Sequence, residues 1–394
     1  GGTVKKQLEM SGKAEGVGAS AAGGLRFAFL DFGEDADTVE MAAKVAKIAG
    51  VRYAEPDYAM YADYVTPTPP ESFFLGYQYY LDNQGDWGYG YGTQGSDIKA
   101  FAGWDYANDD FGLDSSSVVV GVIDTGVAYW IPELTPNMWV NEEELEGEDD
   151  VDDDGNGYVD DVYGYDFYHD LGIGTEAGWI PNAEDDHGSH VAGTIAASWE
   201  YGSVAGVTYN TKIMTLKFLG EGGGWTSDAI RALDYAVEMG ADLTSNSWGG
   251  GDPSMALADA IRESGMLFIS SAGNDGDNGD FFGHYPSTYA KPGSPYFCEN
   301  IISVAATDAN DNLASFSNFG PESVHIAAPG NYILNVAADG DYSYGYYFYS
   351  GTSMATPQVS AVASLLVAQD KFHPGYSIPQ YDDPDPSGDW DTVK

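Results

Sequence analysis

The amino-acid sequence predicts an α/β protein with a mostly parallel sheet flanked by helices, together with a small α+β unit at its amino terminus. From about residue 115 onward, short β-branched runs alternate with stretches of helical periodicity, which is typical of a parallel sheet covered by helices. The clearest strand, residues 118–123, contains no polar side chain, as expected of a strand that is buried on both faces. In such sheets, ligands bind at the carboxyl ends of the strands.

The other elements of this region follow the same alternation. Three more segments, 211–216, 242–247 and 266–271, are predicted as further strands of this alternation. Apolar residues at helical spacing predict three helices, at about 188–199, 226–239 and 254–264. Because each helix lies between two strands, the connections are long enough for parallel pairing.

The first 63 residues show a second, smaller pattern. Residues 25–32 alternate as a strand, residues 35–48 have helical spacing, and residues 51–54 predict another strand, which together make a small β-α-β unit. The proline-rich run Thr66-Pro67-Thr68-Pro69-Pro70 then predicts a linker. We therefore expect four segments, in the order 1–63, a linker 64–75, a main domain 76–370 and an acidic, proline-containing tail 371–394.

The composition is strongly acidic, with 15 basic and 62 acidic residues and a net charge of −47. Residues 1–63 contribute only −3 of this charge. Such a surface repels nucleic acid and anionic membranes, and it repels itself unless salt screens it. We expect no nucleic-acid or membrane partner, and a halophilic protein or one that works in a calcium-rich medium. Cys298 is the only cysteine, so no internal disulfide can form.

Membrane and export signals are weak in the sequence. No apolar run approaches the ~18 residues of a membrane span. The first residues lead into no apolar stretch typical of a signal peptide. This is compatible with a cytoplasmic protein or with a sequence that begins after a removed segment.

Three short segments place reactive side chains at predicted strand ends and helix starts. Asp124 ends a strand in Ile123-Asp124-Thr125-Gly126, His187 opens a helix in Asp186-His187-Gly188, and Ser353 opens another in Gly351-Thr352-Ser353-Met354-Ala355. A serine hydroxyl becomes an effective nucleophile when a histidine takes its proton and a carboxylate orients that histidine. The chain order Asp, His, Ser is that of subtilisin.

These motifs resemble those of the subtilisin-like serine proteases, the subtilase family, and the resemblance covers most of residues 75–370. It implies that Asp124, His187 and Ser353 form the catalytic triad. Ser270-Ser271-Ala272-Gly273-Asn274-Asp275 is similar to the family's oxyanion-hole segment, which makes Asn274 the fourth catalytic residue. The resemblance further implies a secreted, extracellular endopeptidase that cleaves polypeptides of broad sequence through an acyl-enzyme, and we expect a monomer.

The same resemblance suggests where a substrate binds. Ser247-Trp248-Gly249 resembles the family's Ser-Leu-Gly strand, and Gly222-Gly223-Gly224 resembles the edge that faces it. These residues would hold an extended peptide by adding it as a strand. Trp248 replaces the usual leucine, which leaves the size of the primary pocket open; we expect a large apolar side chain there.

Residues 48–58 resemble the end of the family's inhibitory propeptide. The resemblance implies that residues 1–63 are a partial propeptide, which would act as chaperone and intramolecular inhibitor of a zymogen. By weak alignment, the maturation cut falls near Ala62 to Tyr64.

Residues 142–161 contain twelve acidic residues in twenty, whose mutual repulsion a cation would relieve. Within this run, residues 152–160 place oxygen atoms at alternate positions around a glycine, which suits Ca²⁺. The favoured ligands are Asp152, Asp154, Asn156, the Tyr158 carbonyl and Asp160. A frame that uses Asp150, Asp152, Asp154 and Asp161 stays open, and so does an acidic loop that binds no ion.

Other classes of protein fit the motifs less well. Asp124-Thr125-Gly126 is also an aspartic-protease signature, but that mechanism needs a second such segment, and the sequence has none. The α/β-hydrolases place an acid and a histidine after the serine, and only His373 follows Ser353. His187 and His190 share a helix face, but without a third zinc ligand we expect His190 to be structural. A catalytically silent calcium-binding protein on the same fold stays an alternative.

Overall fold

The computed structural model describes residues 3–9, 26–31, 38–47, 74–111, 114–174, 186–220, 222–250, 252–340 and 342–372. The chain divides into two compact units, Gly1–Tyr64 and Val65–Lys394. The strand expected at 51–54, the proline-rich run 66–70, the expected cleavage site at 62–64 and the tail beyond residue 372 lie outside the described residues.

The amino-terminal unit contains an antiparallel strand pair and a helix. Strand β1 (Thr3–Glu9) pairs with β2 (Arg26–Asp31), and helix α1 covers Thr38–Val45. The strand expected at 25–32 and the helix expected at 35–48 are both found, with shorter bounds. The sequence pattern did not predict β1, because its two lysines break the apolar alternation and the pairing register shifts between Val4 and Lys6.

The second unit is built on an eight-stranded sheet with the order β10-β9-β8-β7-β3-β6-β4-β5. All neighbouring strands run parallel except β4 and β5. An antiparallel hairpin of β11 and β12 lies apart from this sheet. The strands are β3 (Val119–Asp124), β4 (Gly164–Asp166), β5 (Leu171–Gly172), β6 (Lys212–Lys217), β7 (Leu243–Asn246), β8 (Leu267–Ser271), β9 (Ile301–Thr307), β10 (Ile326–Pro329), β11 (Ile333–Gly340) and β12 (Ser343–Tyr349).

Helices cover both faces of the sheet. They are α2 (Ala100–Phe111), α3 (Glu142–Leu145), α4 (Asp186–Ala196), α5 (Thr226–Glu238), α6 (Met255–Ser264) and α7 (Thr352–Phe372). One apolar cluster contains residues of α4 and α7, and a second contains residues of α5 and α6. Val122 belongs to the first cluster and Ile123 to the second. Because successive strand residues point to opposite faces, α4 and α7 lie on one side of the sheet and α5 and α6 on the other.

The predicted fold class is confirmed, since four parallel strands and three helices lie within about three residues of their expected positions. These are the elements whose apolar pattern is most regular. Helix α7 continues to Phe372, two residues past the expected end of the main domain. In the described ranges, no helix combines the length and apolar character that crossing a bilayer requires.

Candidate active site

The strand order brings the first two predicted triad residues together. Asp124 is the last residue of β3 and is fully buried, and His187 is the second residue of α4. His187 Nδ1 and Asp124 Oδ1 are 2.7 Å apart, so they form a hydrogen bond. A carboxylate that holds Nδ1–H fixes the imidazole tautomer and leaves Nε2 as the proton acceptor.

Two carboxylates favour the protonated form of His187. Burial by itself lowers the pKa of His187, but the charge and hydrogen bond of Asp124 and the charge of Asp186 raise it above its ordinary value. Asp186 is held in place on both sides: Oδ1 accepts the His187 amide at 2.6 Å, and Oδ2 accepts the Tyr349 hydroxyl at 2.9 Å. His187 is therefore well suited to take up a proton and to stabilise the charge that results.

Ser353 is the second residue of α7, so backbone N–H groups without helical partners surround it. Its Oγ donates to the Ser247 carbonyl at 3.0 Å, and Ser247 Oγ donates to the Ser353 carbonyl at 2.9 Å. Among the residues described here, Ser353 forms no hydrogen bond with His187, although α4 and α7 pack against each other. Catalytic hydrogen bonds are often completed only when a substrate binds.

Asn274 is anchored to the start of the same helix. Its Oδ1 accepts hydrogen bonds from the Thr352 amide at 2.8 Å and from the Thr352 hydroxyl at 3.1 Å. Because the oxygen is engaged, Nδ2 is left as a donor, and it lies 3.4 Å from the position that a Cβ on Gly351 would take. The Thr352 hydroxyl also accepts the Gly273 amide at 3.1 Å. The amide of Asn274 is thus fixed beside Ser353 before any ligand binds.

Asn318 and His190 form hydrogen bonds with backbone groups near the site. Asn318 Oδ1 accepts the backbone amides of Asp275 and Asp277, and its Nδ2 donates to the Ala272 carbonyl. His190 Nε2 lies 3.0 Å from the Ile333 carbonyl, and burial lowers the pKa of His190 to about 4. Both side chains are committed to protein contacts, in agreement with a structural role.

The two predicted substrate edges flank the strand that carries Asp124. In the sheet, β7 and β6 are the neighbours of β3, and Ser247-Trp248-Gly249 follows β7 while Gly222-Gly223-Gly224 follows β6. Gly249, Gly222 and Gly223 are solvent-exposed, and Gly223 has a φ of 87°. Both segments therefore present exposed backbone at the carboxyl end of the sheet.

The ring of Trp248, a predicted substrate-binding residue, is engaged in apolar contacts. Its ring packs against Phe218 at 4.7 Å and Phe268 at 6.2 Å between ring centroids, as part of the apolar cluster under α5 and α6. These contacts hold the Trp248 ring within that cluster.

The acidic loop gathers only part of the predicted calcium ligands. Carboxylate oxygens of Asp152, Asp154 and Glu144 lie within 4.8 Å of one another. Asp160 is turned away, since its carboxylate accepts the Asp150 amide at 3.1 and 3.2 Å. Asn156 Oδ1 accepts the amide of Tyr158 at 2.7 Å.

The alternative frame is not brought together either. Asp161 is fully buried, and its carboxylate accepts hydrogen bonds from Asn141, Asn156 and Tyr235 at 2.6 to 2.9 Å. Burial raises the pKa of Asp161 to about 6, although these hydrogen bonds oppose the shift. The carboxylate of Asp161 therefore links the acidic loop to Tyr235 of α5.

Comparison with known proteins agrees with this geometry. A profile described as "Subtilase family" matches residues 115–378, more than half of the 394-residue chain. The chain belongs to the subtilase family. A "Thermophilic serine proteinase" of Bacillus sp. (strain AK1) is 32% identical over 326 residues, which cover 82% of this chain and 64% of the relative. An "Extracellular basic protease" of Dichelobacter nodosus is 32% identical over 298 residues, which cover 69% and 45%.

Solved structures give the same result. This subtilase resembles a structure titled as a protease from Pseudoalteromonas arctica PAMC 21717, with a TM-score of 0.56 and 28% identity over 76% of this chain and 87% of that one. The chain spans between about half and two-thirds of the length of the two curated relatives.

Three features of the subtilase site were missed by sequence reasoning. Glu144 approaches the acidic loop from α3, Tyr349 holds Asp186 beside the catalytic histidine position, and His284 lies against the Asn274 segment. Glu144 could have been suspected from its place in the acidic run. The Tyr349–Asp186 contact joins residues 163 positions apart, and no local motif marks either it or the His284 contact.

Proposed function

We propose that this subtilase is a secreted serine endopeptidase in which Asp124, His187 and Ser353 act as the triad and Asn274 stabilises the oxyanion. The observation that carries the proposal is the 2.7 Å hydrogen bond between His187 and Asp124, next to a Ser353 segment to which Asn274 is anchored.

The arrangement supports a specific sequence of proton and bond changes. His187 Nε2 takes the hydroxyl proton of Ser353 while Oγ bonds to the peptide carbonyl carbon. The carbonyl oxygen gains negative charge and accepts hydrogen bonds from Asn274 Nδ2 and the Ser353 amide. When the C–N bond breaks, His187 gives its proton to the departing amine, and an ester on Ser353 remains.

The second half repeats these roles with water. His187 takes a proton from water, whose oxygen attacks the ester carbonyl, and Asn274 again stabilises the oxyanion. Collapse of this intermediate breaks the ester bond and returns the proton to Ser353. Asp124 stays ionised throughout, because its function is to orient and stabilise the imidazolium.

The substrates are extended polypeptides of broad sequence. Exposed backbone of Gly222 and Gly224 on one side and of Gly249 on the other can pair with a peptide as an added strand. Backbone pairing is indifferent to side-chain identity, so sequence selectivity must come from pockets.

Calcium would stabilise the acidic loop. Two oxygens that bind one Ca²⁺ at 2.3–2.6 Å are at most about 5 Å apart. The carboxylates of Glu144, Asp152 and Asp154, within 4.8 Å of one another, meet this limit. We assign these three residues as its carboxylate ligands, with backbone and Asn156 oxygens or water completing the shell. The bound ion would supply positive charge that offsets the repulsion within residues 142–161.

Maturation and location complete the proposal. Residues 1–63 act as a propeptide that is removed, and the mature protein is an extracellular monomer, as the extracellular relative supports. The net charge of −47 supports a salty working medium, because screening weakens the repulsion between surface carboxylates.

The test compares the wild-type chain with Ser353→Ala, each with calcium and with a chelator, by casein cleavage and by chain length on a gel. We expect the wild type to lose about 60 residues and to cleave casein, and Ser353→Ala to do neither. A wild type that stays intact and inert in high salt and calcium would contradict the proposal and favour a silent protein. Activity that survives chelation at every temperature would contradict the calcium assignment alone.

A further inference from the structure

The loop that carries His284 is fastened to the substrate strand. The Gly250 amide donates to the Tyr285 carbonyl at 2.9 Å, and the two residues form an antiparallel bridge. The His284 amide donates to Thr288 Oγ1 at 2.9 Å, and Ser287 Oγ donates to the His284 carbonyl at 2.8 Å. These contacts fix the backbone from which the imidazole extends.

The His284 ring occupies the space between two glycine backbones. A Cβ on Gly249 would lie 2.2 Å from His284 Cε1, and a Cβ on Gly273 would lie 2.7 Å from His284 Cδ2. Both distances are well below van der Waals contact, so only glycine fits at either position. Gly249 ends the substrate strand and Gly273 precedes Asn274, so the ring fills the gap between the substrate strand and the oxyanion segment.

This gap is where the side chain before the cleaved bond must go. Under the proposed function, the carbonyl under attack lies at Ser353 Oγ with its oxygen at Asn274, and the chain pairs with the 247–249 backbone. In an extended chain, side chains leave the strand roughly perpendicular to the backbone hydrogen bonds. The side chain of the carbonyl residue therefore enters between the 247–249 strand and the 273–275 segment, where the imidazole stands.

We propose that His284 closes the primary pocket, so that the enzyme cleaves after small, uncharged residues such as glycine, alanine and serine. This inference rests on the proposed function and replaces the expectation of a large apolar residue. Trp248 leaves the pocket size to His284, because its own ring is packed against Phe218 and Phe268.

The charges around the pocket agree with a preference for uncharged residues. Burial lowers the pKa of His284, against the opposing charge of Asp275, which favours the neutral imidazole. It offers no cation to an acidic side chain, and Asp275 repels one. Ser287 Oγ lies 3.3 Å from His284 Nδ1, and Asn318 Nδ2 lies close to Gly273.

The test is a peptide series that varies only the residue before the cleaved bond, applied to the matured wild type, His284→Gly and the control His325→Ala. His325 accepts the Ser303 amide at the β9–β10 edge of the sheet. We expect the wild type and the control to cleave after alanine at least ~10-fold faster than after phenylalanine. His284→Gly should gain about 10- to 100-fold on phenylalanine, the benefit of burying an aromatic side chain.

A second measurement separates this inference from the catalytic proposal. Ser353→Ala should bind a product peptide that ends in alanine more tightly than one that ends in phenylalanine, and the order should reverse when His284→Gly is added. His284→Ala serves if the glycine variant does not fold. A wild-type preference for phenylalanine or leucine, or a profile that His284→Gly leaves unchanged, overturns the inference. Cleavage of no peptide, with this binding order intact, overturns only the proposed activity.

Discussion

Helix α4 approaches the turn after Asp124 closely, and we expect this backbone contact to control the distance between His187 and Asp124 on which the proposed catalysis depends. Gly188 follows His187, and a Cβ built on it would lie 2.0 Å from the Gly126 carbonyl oxygen. The Gly188 amide also donates to Thr125 Oγ1 at 3.0 Å. Carbon and oxygen in van der Waals contact are at least ~3.2 Å apart, so Gly188→Ala must separate the two segments by about 1 Å.

That separation has a calculable effect on activity. The His187–Asp124 hydrogen bond of 2.7 Å would lengthen beyond the ~3.2 Å at which such bonds hold. A misplacement of about 1 Å costs roughly 100-fold in rate. We therefore expect kcat/KM of Gly188→Ala to fall by about 100-fold or more. Overpacking should also cost about 1–3 kcal/mol, a fall in Tm of roughly 2–10 °C.

The assay measures kcat/KM on one peptide together with thermal unfolding of each variant. Gly103→Ala is the matched control, because Gly103 lies in helix α2, is exposed and has no atom within 4 Å of an added Cβ. It should keep full activity and stabilise the fold by up to about 1 kcal/mol. If Gly188→Ala folds and retains activity within about threefold of wild type, the close approach does not control the catalytic distance and the reasoning is wrong.

Three further predictions follow from contacts at the two sites. Asp186→Asn should move the acidic limb of the kcat/KM–pH profile to lower pH, because it removes one charge that raises the pKa of His187. Activity is lost as pH falls through that pKa, so a lower pKa extends activity to lower pH. An acidic limb that does not move would refute this prediction. Asn274→Ala should lower kcat by a factor of about 10²–10³ with KM little changed. This factor is the one known for the corresponding asparagine of subtilisin. An unchanged kcat would show that Asn274 does not stabilise the oxyanion. Glu144→Gln should reduce the rise in Tm on adding Ca²⁺, whereas Glu143→Gln, its exposed neighbour, should not; equal responses would place the ion elsewhere.

The sequence by itself determined the fold class and the chemical groups of the site. The apolar run at β3 is a short-range signal, because a strand that is buried on both faces is rich in apolar residues. The catalytic motifs are equally local: a carboxylate that ends a strand, and a histidine and a serine that each open a helix. Such patterns can be recognised without knowing what lies next to them in space.

The proposed calcium ligands show what a local sequence pattern cannot predict. The spacing of residues 152–160 correctly singled out Asp152 and Asp154 as neighbours, but the folded loop turns Asp160 to the Asp150 amide and brings in Glu144 from α3. The spacing of oxygen-bearing side chains along the sequence indicates which residues could bind the same Ca²⁺ ion. Backbone hydrogen bonds within the loop decide which of them point the same way.

Only the tertiary structure shows which distant segments contact one another around the site. The hydrogen bond between Tyr349 and Asp186 joins residues 163 positions apart. The position of His284 against Gly249 depends on an isolated β-bridge between Gly250 and Tyr285. No helix or strand pattern in the sequence predicts this bridge. Contacts of this kind depend on where separate strands and loops meet after the sheet has formed. The sequence therefore indicated the chemical groups of the proposed reaction. Packing between distant segments decided the distances between these groups and raised the pKa of His187.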